Sequence, residues 1–182
     1  MEPAGTASKI DTRRAASLVS SAMPRKLSHV SEAGDFHMVD VSRKPVTERV
    51  AVARGRVFMH RDTLALVREE RSRKGNVLAA AHLAGVMAAK RTATLIPLAH
   101  TLPLESVELA FGLDDGTSSV GIESRVRTRG RTGVEMEALT AVMAAALTIY
   151  DMLKSADRGM VMGEFALWEK RGGRSGVYRR AD

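Results

Sequence analysis

The 182-residue chain contains no cysteine, and only 4% of its residues are aromatic. The absence of cysteine excludes a disulfide framework and a thiolate-ligated metal site, and it fits a reducing compartment. The scarcity of aromatic residues argues against the base-stacking surfaces of proteins that bind single-stranded nucleic acid. Ala and Gly interrupt the longest apolar runs, so we predict no segment of the roughly 18 to 20 apolar residues that cross a bilayer.

The composition is that of a globular protein with an excess of positive charge. Hydrophobic residues make up 45% and charged residues 27% of the chain, and the formal net charge is +7. This length and composition suit one domain with its own core. The positive charge suits a phosphate-bearing partner, but no recognition-helix or RNA-binding sheet signature accompanies it. A phosphorylated small molecule is therefore preferred over nucleic acid as the ligand.

The N-terminal residues have no sustained period and are rich in Ala, Ser and Arg, so we predict a mobile tail over residues 1–27. No acidic residue lies between Asp11 and Glu32, which leaves a remnant of an organelle-targeting segment as an alternative. We place the folded domain at 28–176 and a short C-terminal tail at 177–182.

Hydrophobic periodicity predicts four strands, at 50–60, 106–111, 119–126 and 160–170. Helices are predicted after an Asp62 cap through Arg71, after an Asn76 cap through Arg91, and at 134–155. This order is that of the α+β ferredoxin-like (split βαβ) fold, with an extra helix in the first crossover. It predicts an antiparallel sheet with both long helices on one face. A symmetric homo-oligomer that stacks sheets or abuts helices would then complete the burial and share its sites between subunits.

The run R-T-G-V-E-M-E-A-L-T, at 131–140, carries the first chemical signal. It places Glu135 and Glu137 beside a Gly-bounded turn at a helix start, where free N–H groups attract an anion. Later on this helix, Asp151 and Lys154 are three residues apart and share a face, so each can tune the other's proton affinity. Together these groups indicate a site for a phosphorylated small molecule, and a capped, charge-decorated helix is the alternative.

Three further segments carry candidate chemistry. Lys74 precedes a predicted helix, where a cation is unfavourable with the helix dipole unless an anion accompanies it. His100 lies in a loop after Pro97, and E-K-R-G-G-R-S-G, at 169–176, is a Gly-rich basic segment whose backbone could fold over phosphates. Singly, Lys74 is more typical of a solvated turn, His100 of a hydrogen-bonded loop residue, and the Gly-rich segment of plain disorder. Their joint presence favours the functional interpretation.

Taken together, the segments resemble the molybdenum-cofactor biosynthesis protein C family, the cyclic pyranopterin monophosphate synthases. The shared motifs, spread over 27–176, are H-M-V-D-V-S, K-G-N-V, A-G-V-M-A-A-K-R-T, L-I-P-L-A-H, T-G-V-E-M-E-A-L-T and L-T-I-Y-D-M-L-K. The resemblance implies a ferredoxin-like subunit in a homohexamer, a trimer of dimers with the site at the dimer interface. It implies conversion of 3′,8-cyclo-7,8-dihydro-GTP to cyclic pyranopterin monophosphate and pyrophosphate.

The resemblance also assigns residues. It implies that Asp151, Lys74 and Lys154 are catalytic, with the lysines as acid and base. The substrate-binding residues that it implies are Leu98, Ala99, His100, Glu135, Met136, Glu137, Arg49, Lys170 and Arg174. We expect two lysines crowded in one pocket to lower each other's pKa, so that one can act as a base. Arg131 is a further cation available to the triphosphate.

Three departures from the family pattern concern the site. Ala99 stands where many members have cysteine, T-L-P-L follows His100 where many have proline directly, and the C-terminal G-G-R-S-G-V-Y-R-R replaces a commoner ending. A substrate contact at Ala99 can use backbone groups, so we expect activity to survive.

The resemblance implies no resident metal or cofactor, no membrane or nucleic-acid partner, and a cytoplasmic location. Whether Mg²⁺ accompanies the pyrophosphate is left open. A non-catalytic paralogue that binds a phosphorylated pterin, a nucleotide or a partner enzyme is the alternative function.

Overall fold

The structure is a computed structural model that describes residues 34–72 and 74–181. The strands are β1 (Thr47–Phe58), β2 (Ser106–Asp114), β3 (Ser119–Gly130), β4 (Val161–Arg171) and β5 (Tyr178–Arg179). The helices are α1 (Arg61–Arg68), α2 (Val77–Lys90), α3 (Thr92–Leu95) and α4 (Glu135–Leu153). The predicted N-terminal tail, 1–27, lies outside the described residues.

The five strands form one antiparallel sheet in the order β2-β3-β1-β4-β5. The first four strands have the order of the split βαβ plan, so the predicted ferredoxin-like fold is confirmed. The sequence analysis did not predict β5, in which Tyr178 pairs with Lys170 and Arg179 pairs with Glu169 of β4. This short strand folds the C-terminal segment back along the sheet edge.

The core lies between the sheet and the two long helices, α2 and α4, which pack against each other. Small residues allow this close approach. A β-carbon at Gly55 of β1 would overlap Phe165 and press on Val142 of α4. Inside the same layer, the buried Ser124 hydroxyl donates to the Ala138 carbonyl at 2.7 Å. These contacts fix α4, which carries most of the candidate site residues, on the centre of the sheet.

One of the two predicted helix caps is confirmed, and the other is wrong. The Asn76 side chain accepts the Ala79 N–H at 2.9 Å at the start of α2, as predicted. Asp62 does not cap α1, because the N-cap position is His60 and no side chain of that segment caps the helix. The helix also ends at Arg68 rather than Arg71, because Glu70 has a left-handed φ of 52° that breaks the helical backbone.

Helix α4 corrects another prediction. It has 19 residues and is long and apolar enough, by length and composition, to cross a membrane, which the sequence analysis did not expect. A buried core helix passes the same test. Eight of its residues are buried, and Ala138, Ala145 and Ile149 have no exposed surface. Packing against the sheet and α2 therefore accounts for its composition.

The two outer surfaces of the fold differ in polarity. The outer face of the helices exposes Leu83 and Met87 of α2 and Met143 and Leu147 of α4, with 41% to 63% of each residue accessible. The sheet face away from the helices is charged: Arg54 pairs with Glu123 at 2.7 Å and lies 4.3 Å over the Trp168 ring. The helices thus carry an exposed apolar surface, and Phe36, Val161 and Val177 are exposed apolar residues outside them.

Candidate active site

Lys74, Asp151 and Lys154 converge at the C-terminal end of α4. The Lys154 ammonium lies 2.7 Å from Asp151 Oδ1, and the Lys74 ammonium lies 3.1 Å from Asp151 Oδ2. Lys74 also donates to the Asp151 backbone carbonyl at 2.7 Å. The loop before α2 therefore brings Lys74 across 77 residues of sequence to the acid of α4. We call these three residues the lysine–aspartate cluster.

Charge in the lysine–aspartate cluster is set by the shared carboxylate. Hydrogen bonds from Lys154 and from Lys74 lower the pKa of Asp151. The Asp151 hydrogen bond and charge raise the pKa of Lys154. The prediction that the two lysines lower each other's pKa is therefore wrong for Lys154 in this chain, because the carboxylate between them outweighs their repulsion and the side chains are about half exposed. The predicted mutual tuning of Asp151 and Lys154 is confirmed.

A cationic cleft of about 600 Å³ lies at the other end of α4, between β1, the turn before α4 and the segment after β4. Glu135 is the acidic residue among those that line it. Six cationic residues also line it: Lys44, Arg49, Arg131, Lys170, Arg171 and Arg174. The predicted substrate-binding cations Arg49, Lys170 and Arg174 are thus brought together. This excess of positive charge suits a polyanionic ligand.

Arg49 is the buried cation of the cleft, with 8% of its surface accessible. Its guanidinium donates to the carbonyl oxygens of Gly130 at 3.3 Å and Arg131 at 3.2 Å. Gly173, with a φ of +72°, packs directly against that guanidinium, and a β-carbon there would overlap it. The Gly-rich segment that the sequence marked as a phosphate loop therefore also closes over Arg49.

A second cavity of about 280 Å³ adjoins the cleft. All of the predicted residues Leu98, Ala99, His100, Met136 and Glu137 line it. His100 is held in place because its Nε2 lies 3.0 Å from the Val39 carbonyl. The two cavities share a wall made of Lys44, Thr132, Gly133 and Glu135. One bound molecule could therefore occupy both, and we call the pair the two-part cleft.

Glu137 is the buried acid of the two-part cleft. It is 5% exposed and lies in the first turn of α4. Burial raises its pKa, the neighbouring charge of Glu135 raises it further, and a backbone hydrogen bond opposes the shift. Glu137 can consequently offer either a hydrogen-bond donor or an acceptor to a ligand in the smaller cavity, depending on its protonation state.

Sequence reasoning missed Lys44. It lies in the turn before β1, where its N–H donates to the Val41 carbonyl at 3.0 Å, and it lines both cavities. The stretch from His37 to Arg49 reads as a dense polar lead into the sheet, but no single residue of it apart from Arg49 stands out. The charged position directly before Pro45 was the available signal, since proline restricts the backbone of the residue that precedes it.

The structure does not unite the two groups of predicted residues within one chain. Glu135 and Asp151 are 16 positions apart on one continuous helix, which corresponds to about 24 Å at 1.5 Å per residue. The lysine–aspartate cluster and the two-part cleft therefore lie at opposite ends of α4. Within residues 34–72 and 74–181, no group of three or more metal-binding side chains is placed to hold an ion.

Comparison with known proteins supplies the family. The family model described as "MoaC family" matches residues 38–173. The chain is 59% identical to the cyclic pyranopterin monophosphate synthase of Thermomicrobium roseum over 86% of this chain and 95% of that one. It is 60% identical to the synthase of Heliobacterium modesticaldum over 86% and 98%, respectively. The synthase of Cereibacter sphaeroides is 57% identical over 84% of this chain and 96% of its own length. The family match begins at the segment that contains Val39, the partner of His100, and ends at Gly173, which packs on Arg49. The chain belongs to the MoaC family.

Proposed function

We propose that this protein is a cyclic pyranopterin monophosphate synthase, which converts 3′,8-cyclo-7,8-dihydro-GTP into cyclic pyranopterin monophosphate and pyrophosphate. The observation that carries the proposal is the convergence of Lys74 and Lys154 on the one carboxylate of Asp151. Full-length relatives at 57% to 60% identity bear the name of this activity. In bacteria, the enzyme would act in the cytoplasm.

The reaction consists of proton transfers around a phosphoryl transfer. The imidazole ring of the purine opens, a pyrazine ring closes, and a ribose-derived hydroxyl attacks the α-phosphate and expels pyrophosphate. Each step needs a positioned acid or base, and such a group contributes about 10² to 10⁴ in rate. None of these steps is a net oxidation or reduction, so we propose that the protein supplies no redox cofactor. We also propose that its own acid and base groups act without a resident metal.

The geometry suggests which lysine does which work. Lys154 makes the shorter contact with Asp151, 2.7 Å, and its pKa is raised, so it is held as the ammonium that donates a proton. Lys74 makes the longer carboxylate contact, 3.1 Å, and is the group that we assign to accept a proton from the substrate. Asp151 contacts both amines, so its carboxylate influences which of them carries the proton.

The two-part cleft would bind the rest of the substrate. The larger cavity, with Arg49, Lys170 and Arg174, is the proposed place for the triphosphate, because guanidinium and ammonium groups donate charge-assisted hydrogen bonds to phosphate oxygens. The smaller cavity, with His100 and Glu137, is the proposed place for the guanine-derived ring. Lys44 touches both cavities and would contact the substrate where its two halves join.

The distance between the two groups of residues requires a second subunit. Chemistry at Asp151 cannot act on a substrate held about 24 Å away at Glu135 of the same chain. Met143 lies midway between them, and a two-fold axis near it would pair Asp151 of one chain with the partner's Glu135. The exposed apolar surface of Leu147 and its neighbours on α2 and α4 suits this contact. We therefore favour abutting helices over stacked sheets as the dimer contact of a homohexamer.

A non-catalytic paralogue would have no need to keep both lysines and the aspartate in contact, and no observation favours that alternative.

The direct test is single-turnover release of pyrophosphate from the cyclised dihydro-GTP by the purified protein. We expect stoichiometric pyrophosphate and cyclic pyranopterin monophosphate. Tight binding of the nucleotide without either product would refute the proposal. Parallel reactions with EDTA and with added Mg²⁺ would decide whether the leaving pyrophosphate needs the ion.

A further inference from the structure

Asp157 is a buried carboxylate that belongs to neither the lysine–aspartate cluster nor the two-part cleft, and it is 5% exposed. Its Oδ2 accepts the backbone N–H of His60 at 2.9 Å and the Thr63 hydroxyl at 3.4 Å. Its Oδ1 accepts the N–H of Gly159 at 2.9 Å. The His60 hydrogen bond lowers the pKa of Asp157 more than burial raises it, so the carboxylate stays ionised. No local side chain caps α1. Asp157, 97 residues along the chain, instead accepts the N–H of the N-cap residue His60.

The contacts of Asp157 join the same two segments that form the lysine–aspartate cluster. One segment runs from His60 through α1 to Lys74, and the other is the end of α4 with the turn after it. Among the described residues, side-chain hydrogen bonds link them at two points: Asp157 holds His60 and Thr63, and Asp151 holds Lys74. The first link is buried, whereas the second is about half exposed.

The exposed link lies on the same segment that the buried link helps to hold. Lys74 follows a short loop after α1 and precedes Gly75, whose φ of +94° shows a turn at this point. Within the described ranges 34–72 and 74–181, Asp151 is the residue that the Lys74 side chain hydrogen-bonds. An exposed ion pair holds two side chains together only weakly. Lys74 is held from both sides, by α1 before it and by α2 after it, and the Asp157 contacts fix the start of α1.

We propose that Asp157 is a positioning residue: it clamps the segment that carries Lys74 to the end of α4 that carries Asp151 and Lys154. Its kinetic consequence rests on the proposed function. A displacement of about 1 Å of a reacting group can cost 10²-fold in rate, so partial loosening of the clamp should cost about 10-fold in kcat. KM should change less than about 2-fold, because neither Asp157 nor its partners His60 and Thr63 line the two-part cleft.

The experiment separates clamping from simple helix capping. Asp157→Ala removes both, and adding His60→Ser restores a local cap at the N-cap position of α1 without restoring the link to the α4 end. Asp157→Asn is the milder variant if Asp157→Ala does not fold. The matched control is Asp115→Asn, which breaks the exposed 2.6 Å pair with Arg68 at the other end of α1.

We expect the His60→Ser/Asp157→Ala protein to regain its thermal midpoint while kcat stays about 10-fold low, and Asp115→Asn to keep normal kcat. In a Lys74→Ala background, Asp157→Ala should lower the remaining kcat by less than about 2-fold, because the two residues act as one unit. Recovery of kcat together with the midpoint, or a full further 10-fold loss without Lys74, would overturn the proposal.

Amide hydrogen exchange tests the clamp without any turnover. In the double variant, exchange of the amides at 69–72 and 74–76 should become at least about 10-fold faster than in wild type and in Asp115→Asn. Unchanged exchange would overturn the clamp even if the enzyme is active. A wild-type protein that forms no product would refute the proposed function, and the exchange result would still decide whether Asp157 holds the two segments together.

Discussion

Replacing Gly173 by alanine tests how the Gly-rich segment and Arg49 cooperate. Gly173 has a φ of +72°, and an added β-carbon would overlap the Arg49 guanidinium. The backbone conformation alone costs a non-glycine residue about 1 to 2 kcal/mol. At this chain length such a loss lowers the thermal midpoint by about 2 to 8 °C.

Gly176→Ala is the matched control. Gly176 lies in the same segment with a φ of +60°, and its β-carbon would meet nothing within 4 Å. It should therefore show the same loss of stability without the steric effect on Arg49. Any difference between the two variants measures the contact with the guanidinium.

Only Gly173→Ala should weaken substrate binding. A displaced Arg49 loses a charge-assisted hydrogen bond to phosphate, about 1.5 to 3 kcal/mol, which raises KM about 10- to 100-fold. Calorimetric midpoints and steady-state kinetics of both variants are the measurements. An equal rise in KM for Gly176→Ala, or an unchanged KM for Gly173→Ala, would refute the proposed role of Arg49 in the cleft.

Two further predictions concern the acids and amines of the site. Lys74→Ala, Lys154→Ala and Asp151→Asn should each lower kcat by about 10²-fold or more while the circular dichroism spectrum stays unchanged, and near-normal turnover in any of them would show that the catalytic groups are wrongly assigned. Glu137→Gln should raise the unfolding midpoint at pH 7. Burial raises the pKa of Glu137 in the folded protein, so the fold favours the protonated carboxyl. This contribution to stability is fully present below the pKa of the unfolded chain and is lost as pH rises through the folded pKa. The gain should therefore vanish in midpoints measured below about pH 4, the usual range of a free glutamate. A gain that persists there would show that charge burial is not its cause.

The sequence was sufficient to predict the fold because local and global signals agree. The alternating strands, the Asn76 cap and the helix predicted at 134–155 each appear in the structure within a few residues. Helix α1 shows the limit of such signals. Asp62 has the right residue type for a cap, but the tertiary contact of Asp157 with His60 takes that role from a distance of 97 residues.

The site was predictable in its members but not in its arrangement. The resemblance names both the lysine–aspartate cluster and the cleft residues. The sequence separation of Glu135 and Asp151 already implies a large distance if one helix contains both. The structure shows that one continuous helix does contain them, so a single chain cannot bring both residues to one site. The pKa of Lys154 also depends on a third group, since Asp151 lies between the two lysines and reverses the shift expected from their repulsion.

The central claim is that one active site takes its lysine–aspartate cluster from one chain and its two-part cleft from another. Co-expression of Lys74→Ala and His100→Ala chains with different tags, followed by purification of the mixed oligomer, tests it most directly. In a two-fold pair of the two variants, one site receives both defects and the other receives neither. Random pairing should then restore about one quarter of wild-type kcat from two inactive proteins. The control pair, Lys74→Ala with Asp151→Asn, should restore none, and a Lys74→Ala/His100→Ala mixture as inactive as its parents would contradict the shared site.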